Sequence, residues 1–156
     1  MNNRGFTLTE VLVVIALIGI LSAIATFGFS RYTTKSKIES QTKLLYGDLM
    51  EYRIKSLYEK KKWRVKISAA SYGIYSSSNT TVAPVKTVTL KNSVVFNNST
   101  DIVFDSQGMA NVSGKSVCVS NANEAAVDSV VISETRVQIG KRMEGESCVD
   151  SKIVAK

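Results

Sequence analysis

The pattern of apolar and polar positions divides the chain into three parts. The first is an uncharged apolar run from Val11 to Phe29, which is 19 residues long. At a helical rise of about 1.5 Å per residue the run measures about 28 Å, close to the roughly 30 Å hydrocarbon core of a bilayer. The pattern therefore predicts a membrane-spanning helix near the N-terminus.

The second part, residues 31–62, has the periodicity of an amphipathic helix. The apolar positions at helical spacing are Ile38, Leu45, Leu49 and Tyr52, widened by Tyr46, Met50 and Leu57. The polar residues expected on the opposite side are Ser40, Asp48, Glu51, Lys55 and Glu59. The run from Lys60 to Lys62 suits a helix C-terminus, where cations meet the negative end of the dipole. We therefore predict one helix of about 56 residues through both parts.

The third part, from Trp63 onward, consists of short β-branched or aromatic runs separated by Asn, Ser, Gly and Asp clusters. The runs are RVKI, YGIY, VKTVTL, SVVF, DIVF, SVCV, SVVIS and TRVQI. This spacing predicts seven or eight short, mostly antiparallel strands, with VVFNNSTDIVF as a hairpin. The predicted fold is α+β, a long N-terminal helix packed on a mostly antiparallel C-terminal β-domain.

The composition argues against most enzyme mechanisms. The chain has 156 residues, a net charge of +7 and no histidine. The commonest general base and zinc ligand are therefore absent. The sequence contains no nucleophile–base pair, phosphate-cradling glycine loop or metal-spaced cluster. Asp101 and Asp105 flank a strand and are typical turn caps. We predict no enzyme activity, no metal site and no cofactor.

One acidic residue, Glu10, stands just before the apolar run. A carboxylate in a spanning helix costs about 2.5–3.5 kcal/mol on insertion scales. A signal peptide cut after Ala25, in Ala23-Ile24-Ala25, is one interpretation of this N-terminus, and a plain membrane anchor is another. Neither explains Glu10, because an apolar residue would serve both better. An acid in this place predicts a function and a partner of opposite charge.

The residues around Glu10 indicate that partner. Gly5-Phe6-Thr7-Leu8-Thr9-Glu10 resembles the processing signature of type IV prepilins and of the pseudopilins of type II secretion. The resemblance implies that a prepilin peptidase and methyltransferase cuts between Gly5 and Phe6 and methylates the new α-amine of Phe6. It also implies that Glu10 pairs with the Phe6 α-amine of a neighbouring pilin or pseudopilin subunit. Glu10 and Phe6 are thus the predicted assembly residues.

The resemblance also sets the predicted organisation. The chain is divided into a leader (1–5), a membrane and assembly helix (6–30), the amphipathic half of that helix (31–62) and a β-rich globular domain (63–156). The charges after the run, Arg31, Lys35, Lys37 and Lys43, outnumber Arg4 before it, which alone would favour a cytoplasmic C-terminus. That rule weakens before a large domain, so we follow the resemblance. It implies a single-pass protein of the bacterial inner membrane with its C-terminal domain in the periplasm. On assembly the protein would become part of a pilus or pseudopilus.

The C-terminal part narrows the family. IVFDSQGMANVSGKSVCVS and VVISETRVQIGKR resemble the domain of H-type pseudopilins and FimT-like minor pilins, with Phe104, Gly108 and the stretch Val137 to Arg142 in the recurring places. The predicted function is a structural minor pilin or pseudopilin subunit. A major pilin is the nearest alternative, and pilus, secretion pseudopilus and competence filament stay open.

Two further predictions concern the globular domain. Cys118 and Cys148 are expected to form a disulfide in an oxidising compartment, with free thiols or metal ligands as alternatives. The second is DNA binding, because FimT-like minor pilins are associated with DNA uptake and the chain has basic clusters. One runs from Lys60 to Lys66, and the other consists of the predicted DNA contacts Arg136, Lys141 and Arg142. Charge runs are more commonly solvated faces.

Overall fold

The computed structural model describes residues 6–77, 79, 81–97, 101–112, 114–121 and 123–156, with positions 24–28 described by their backbone alone. One helix, α1, spans Leu8–Glu59. The chain forms two compact units, with the boundary between Thr34 and Lys35. The second unit contains the C-terminal part of α1 and all the described strands.

Nine strands follow the helix in the described part of the chain. They are β1 (Trp63–Ile67), β2 (Ser71–Tyr75), β3 (Lys86–Thr89), β4 (Val94–Phe96), β5 (Asp101–Phe104), β6 (Lys115–Val119), β7 (Ser129–Ile132), β8 (Val137–Arg142) and β9 (Ile153–Ala155). A short 3-10 helix, Asp150–Lys152, leads into β9. All eight predicted strands are therefore confirmed. The ninth was missed because it is three residues long and largely exposed.

The strands form two antiparallel sheets, in the orders β3-β2-β1-β5 and β4-β6-β7-β8-β9. The predicted hairpin is wrong, because β4 pairs with β6 whereas β5 pairs with β1. The pairing of β5 with β1 sets Phe104 opposite Trp63 and Ile102 opposite Val65, so four buried side chains share one face. This continuous apolar face decides the pairing, since a strand's register follows its buried side.

A buried lysine in the second sheet forms a hydrogen bond to β5 of the first sheet. Lys115 of β6 donates from its ammonium to the backbone carbonyl of Asp101 in β5 at 2.7 Å. Burial lowers the pKa of Lys115, while the nearby Asp101 carboxylate acts in the opposite direction. The Asp101 carboxylate also pairs with Arg64 of β1 at 3.2 Å.

The core lies between the second half of α1 and the sheets. The predicted apolar side of the helix is confirmed, since Ile38, Leu45, Leu49 and Tyr52 are all buried. The main cluster joins helix side chains to Trp63, Ile102 and Phe104 among others. The fold is α+β, as predicted, with the amphipathic helix covering antiparallel strands.

Asp48 corrects the predicted polar side of the helix. It is only 5% exposed. It follows Leu45 by three residues and precedes Tyr52 by four, and such spacings place it on the apolar side. Its carboxylate accepts hydrogen bonds from the Tyr72 hydroxyl and the Lys86 ammonium, each at 2.7 Å. Burial and the Asp48 hydrogen bond raise the pKa of Tyr72, and the Asp48 hydrogen bond raises that of Lys86. The carboxylate thus ties α1 to β2 and β3.

The helix also ends earlier than predicted. Its last residue is Glu59, and Lys60 has a positive φ of 52°. A left-handed residue directly after a helix is a common C-terminal stop. The lysine run therefore follows the helix instead of closing it. Lys61 turns back to pair with Glu59 at 2.7 Å and lies over the Trp63 ring.

The turn at Gly108 packs directly on the helix. Gly108 has a φ of 72°, and a Cβ there would lie 2.7 Å from Cγ of Leu57. Arg53 of α1 donates to the Gly108 carbonyl at 2.9 Å and to the Thr135 carbonyl. Asp105 accepts from two backbone N–H groups of this turn, at Gln107 and Met109, which confirms its capping role.

Candidate functional site

The start of α1 is fixed by a side-chain cap. Thr7 precedes the first helical residue, and its hydroxyl oxygen accepts a hydrogen bond from the Glu10 backbone N–H at 3.3 Å. The backbone carbonyl of Thr7 accepts a hydrogen bond from the Val11 N–H at 3.2 Å. Threonine three residues before glutamate has the spacing of a capping box. This signal was readable in the sequence and was missed there, because Glu10 was considered only as a charge.

The cap separates the two predicted assembly residues. Phe6 lies outside the helix with its ring exposed, whereas Glu10 lies in the first turn of α1. The Glu10 carboxylate is exposed and has no ion-pair partner among the described residues. Gly5, the other predicted cleavage residue, lies outside the described part of the chain. Glu10 is therefore available to a positive group from elsewhere.

The N-terminal part of the helix exposes apolar side chains at nearly every position. Between Phe6 and Leu21, the large apolar residues that remain at least 47% exposed are Phe6, Leu8, Val11, Leu12, Val13, Val14, Ile15, Leu17, Ile18, Ile20 and Leu21. Soluble monomers rarely expose a contiguous apolar surface of this extent, which usually marks a protein or membrane interface. Within the described residues, no helical segment combines the length and apolar character that a membrane crossing requires.

The predicted disulfide is confirmed. Cys118 in β6 is joined to Cys148 across a separation of 30 residues. Cys118 is fully buried, whereas Cys148 lies in the segment between β8 and the 3-10 helix. The bridge therefore fastens the C-terminal segment to β6, an interior strand of the second sheet. The alternatives of free thiols and metal ligands do not apply.

Two of the three predicted DNA-contact residues are held by the protein itself. Lys141 pairs with the buried Asp128 carboxylate at 2.8 Å and donates to the Asn123 carbonyl at 2.6 Å. The Arg142 guanidinium donates to the Val119 carbonyl at 3.0 Å. Arg136, by contrast, is exposed.

Asp128 is the centre of that cluster. It accepts from the Lys141 ammonium, from the Ser129 hydroxyl at 2.7 Å and from the Arg142 backbone N–H at 2.9 Å. Burial alone would raise the pKa of Asp128, but these three donors outweigh it and hold the pKa below its ordinary value. The arrangement makes Lys141 a structural cation.

Comparison with known proteins supports the N-terminal site. Residues 1–26 match the prokaryotic N-terminal methylation motif. The chain is 33% identical to a fimbrial protein of Neisseria meningitidis serogroup B over 96 residues, 60% of this chain and 53% of that protein. It is 50% identical to the type IV major pilin protein PilA of Myxococcus xanthus over 44 residues, 28% of this chain and 20% of that protein. The chain thus spans about half or less of these curated relatives.

The fold has a solved counterpart. The crystal structure of the type IV minor pilin FimU of Pseudomonas aeruginosa aligns with a TM-score of 0.58 at 14% identity, over 79% of this chain and 96% of FimU. A second crystal form of FimU gives a TM-score of 0.54. The fold is therefore a type IV pilin fold. With the methylation motif and the pilin relatives, it confirms the predicted resemblance to the type IV pilin superfamily, whose pilins are structural proteins and not enzymes.

Proposed function

We propose that the chain is a structural subunit of a type IV pilus-like filament, assembled through its N-terminal helix. The observation that carries this proposal is the helix start. A capped helix with one unpaired carboxylate in its first turn leads directly into a segment that exposes its apolar side chains. Such a segment needs cover from lipid or from other helices.

Processing prepares this segment for assembly. A prepilin peptidase cuts between Gly5 and Phe6 and leaves Phe6 with a cationic α-amine, which is then methylated. The match of residues 1–26 to the methylation motif supports this step. Before assembly the N-terminal segment anchors the protein in the inner membrane, with the domain from Lys35 onward in the periplasm.

Assembly pairs Glu10 with the Phe6 α-amine of the neighbouring subunit. Two unit charges 4 Å apart attract by about 4 kcal/mol at an effective dielectric of about 20. That gain offsets the cost of about 2.5–3.5 kcal/mol for placing a carboxylate in an apolar segment. The pair therefore favours one axial register, in which each carboxylate meets an amine.

Two features favour a minor subunit over a major one. The domain has many short strands in two sheets, and a minor pilin, FimU, shares its fold. A pilus is preferred to a secretion pseudopilus, because the matched relatives are a fimbrial protein and a type IV major pilin.

The test is incorporation of charge variants into filaments by the cells that produce the protein. Glu10→Gln removes the charge but keeps the shape, and we expect at least about a tenfold lower share of subunits in sheared filaments. Glu51→Gln is the matched control, because Glu51 is exposed on the same helix and only pairs with Lys55 at 3.7 Å. Equal incorporation of Glu10→Gln, Glu51→Gln and the wild type would contradict the proposal.

DNA binding is the weaker alternative. Lys141 and Arg142 already have internal partners, so a contact with DNA would have to compete with Asp128 and with backbone carbonyls. Arg136 and the exposed lysines of the run from Lys60 to Lys66 are better placed to meet a phosphate backbone. DNA binding that weakens steeply with salt would support this alternative.

A further inference from the structure

A groove on the domain has the chemistry of an anion site. It lies between α1 and the end of β3, and we call it the lysine groove. Its volume is about 240 Å³, and its nine lining residues include Ser36, Lys37, Ser40, Leu44, Val88 and Lys91. All of them belong to the compact unit that begins at Lys35.

The walls of the lysine groove are fixed by hydrogen bonds. The Gln41 amide nitrogen donates to the Asn92 carbonyl at 2.8 Å, and the Asn92 N–H donates to the Gln41 amide oxygen at 2.8 Å. The neighbouring Leu90 is buried, and its N–H donates to the Ala70 carbonyl at 2.8 Å. These bonds hold Lys91 beside the helix turn that carries Lys37.

The two lysines of the groove are not neutralised within the domain. None of the nine described lining residues is acidic, and neither Lys37 nor Lys91 has an ion-pair partner in the described part of the chain. The nearby Glu39 carboxylate accepts from the Ala126 N–H at 2.8 Å, away from the groove lining. This differs from Lys86 and Lys141, which are paired with buried carboxylates.

The groove also has apolar sides and hydroxyl donors. Leu44 and Val88 contribute apolar surface, and Leu44 is about half exposed. Ser36 and Ser40 add hydroxyl groups that can donate to an anion. The volume is below the usual range of about 300–1,000 Å³ for drug-sized ligands, so the groove suits a small group and not a large molecule.

We propose that the lysine groove binds the phosphate headgroup of an anionic phospholipid. The charge of Lys37 and Lys91 matches the phosphate, and Leu44 and Val88 match the glycerol and first methylenes. Ser36, the first lining residue of the groove, follows the uncharged run, which ends at Phe29, by seven residues. A membrane surface that contains anionic lipids attracts lysines that lie close to it. The groove holds the unassembled subunit at the membrane surface, so this inference rests on the proposed membrane-anchored filament subunit.

The test is lipid retention by the full chain, measured by native mass spectrometry from detergent micelles. Phosphatidylglycerol, phosphatidylcholine and inorganic phosphate are added separately at equal concentration. We expect phosphatidylglycerol to be retained about tenfold more than phosphatidylcholine. Lys37→Gln with Lys91→Gln should remove that preference. Lys62→Gln with Lys66→Gln is the matched control, because both lysines are exposed and lie outside the groove.

Four results would overturn the inference. The first two are an unchanged preference for phosphatidylglycerol in the Lys37/Lys91 variant and an equal loss of that preference in the Lys62/Lys66 control. The other two are equal retention of the two lipids by the wild type and binding of inorganic phosphate that is as strong as binding of phosphatidylglycerol. Trp63 fluorescence of each variant verifies that the domain is folded. A chain that is processed and assembled normally without lipid preference overturns this inference alone. A lipid preference in a chain that is never cut at Gly5 overturns the proposed function alone.

Discussion

The residues before Lys35 and the domain after it use the same apolar side chains in opposite ways. In the domain, Leu49, Ile102 and Phe104 are completely buried, whereas Leu12 and Leu17 in the first part of α1 are more than half exposed. Burial of a large apolar side chain stabilises a fold by about 1.5–3 kcal/mol. The exposed side chains make no such contribution to the isolated chain. Their stabilisation is available only when lipid or other subunits cover them.

The acidic residues differ in the same way. Asp48 and Asp128 are buried in the domain, and each meets a lysine ammonium within 2.8 Å. Glu10 is exposed and unpaired in the described chain. Charges in the domain therefore hold its own elements together, whereas Glu10 is left for a partner. The comparison predicts that changes in the domain alter stability and changes near the N-terminus alter assembly.

The largest expected effect on stability is in the core. Phe104→Ala should lower the free energy of unfolding by about 3–5 kcal/mol, because it leaves a cavity beneath α1. Leu17→Ala should change it by less than about 0.5 kcal/mol, since Leu17 is exposed. Urea unfolding of the full chain in mild detergent, followed by Trp63 fluorescence, measures both. Similar losses in the two variants would break the comparison.

Removal of the disulfide should have the second-largest effect on the free energy of unfolding. Cys118→Ala with Cys148→Ala opens a loop with a separation of 30 residues, and we expect a loss of about 3–4 kcal/mol in the same assay. Ser147→Ala, an exposed neighbour of Cys148, is the control. Leader processing should be unchanged in the double variant. An unfolding free energy equal to that of the control would show that the bridge does not constrain the domain.

A smaller effect, dependent on pH, is expected at Asp128. Its lowered folded pKa adds stability above the unfolded pKa of an aspartate, and this stability is lost as the pH falls through the folded pKa. Asp128→Asn should cost about 1.5–3 kcal/mol at pH 7, and the difference from wild type should shrink on acidification. Glu144→Gln, which alters an exposed carboxylate, is the control. A difference that stays constant down to low pH would exclude the charge as its cause.

The smallest effect concerns two helix glycines. Apart from the adjoining residues and the backbone of the helix itself, no atom of the described residues lies within 4 Å of a Cβ added at Gly19 or Gly47. Gly47→Ala should therefore stabilise the domain by about 1 kcal/mol, through helix propensity alone. Gly19→Ala should leave Trp63-monitored unfolding unchanged, whereas lower filament incorporation would place Gly19 at a helix–helix contact. Destabilisation by Gly47→Ala would contradict the open space around Gly47.

The sequence predicts strands better than their partners. The eight predicted strands all exist, because a run of β-branched or aromatic residues between turn-forming clusters is a local signal. The hairpin from Val94 to Phe104 fails because the short connection says nothing about which sheet buries each strand. Asp48 could have been predicted, since its spacing from Leu45 and Tyr52 already places it on the buried side. The helix end at Glu59 depends on the backbone of Lys60, which composition does not reveal.

The same distinction between local and distant residues applies to the candidate sites. Phe6 and Glu10 could be proposed as assembly residues from the sequence alone, because the motif that contains them lies within a few consecutive residues. The partners of Lys141 and Arg142 come from the end of β6 and from the segment between β6 and β7, so a basic cluster in the sequence could not show that it is internally engaged. The lysine groove likewise joins residues of α1 to residues at the end of β3 and just after it, more than 40 positions later in the chain. Contacts across such separations become visible only once the strand pairing is known.

The N-terminus of the protein extracted from membranes tests the central claim most directly. Peptide mass spectrometry of the mature chain should find Phe6 as the first residue, carrying one added methyl group on its α-amine. Replacement of Gly5 by a bulky residue should leave the leader attached, and it should also abolish incorporation into filaments. A chain that begins at Phe6 supplies the amine that Glu10 requires in a neighbouring subunit. A chain that begins at Thr26, or an uncut chain found in filaments, would contradict the account.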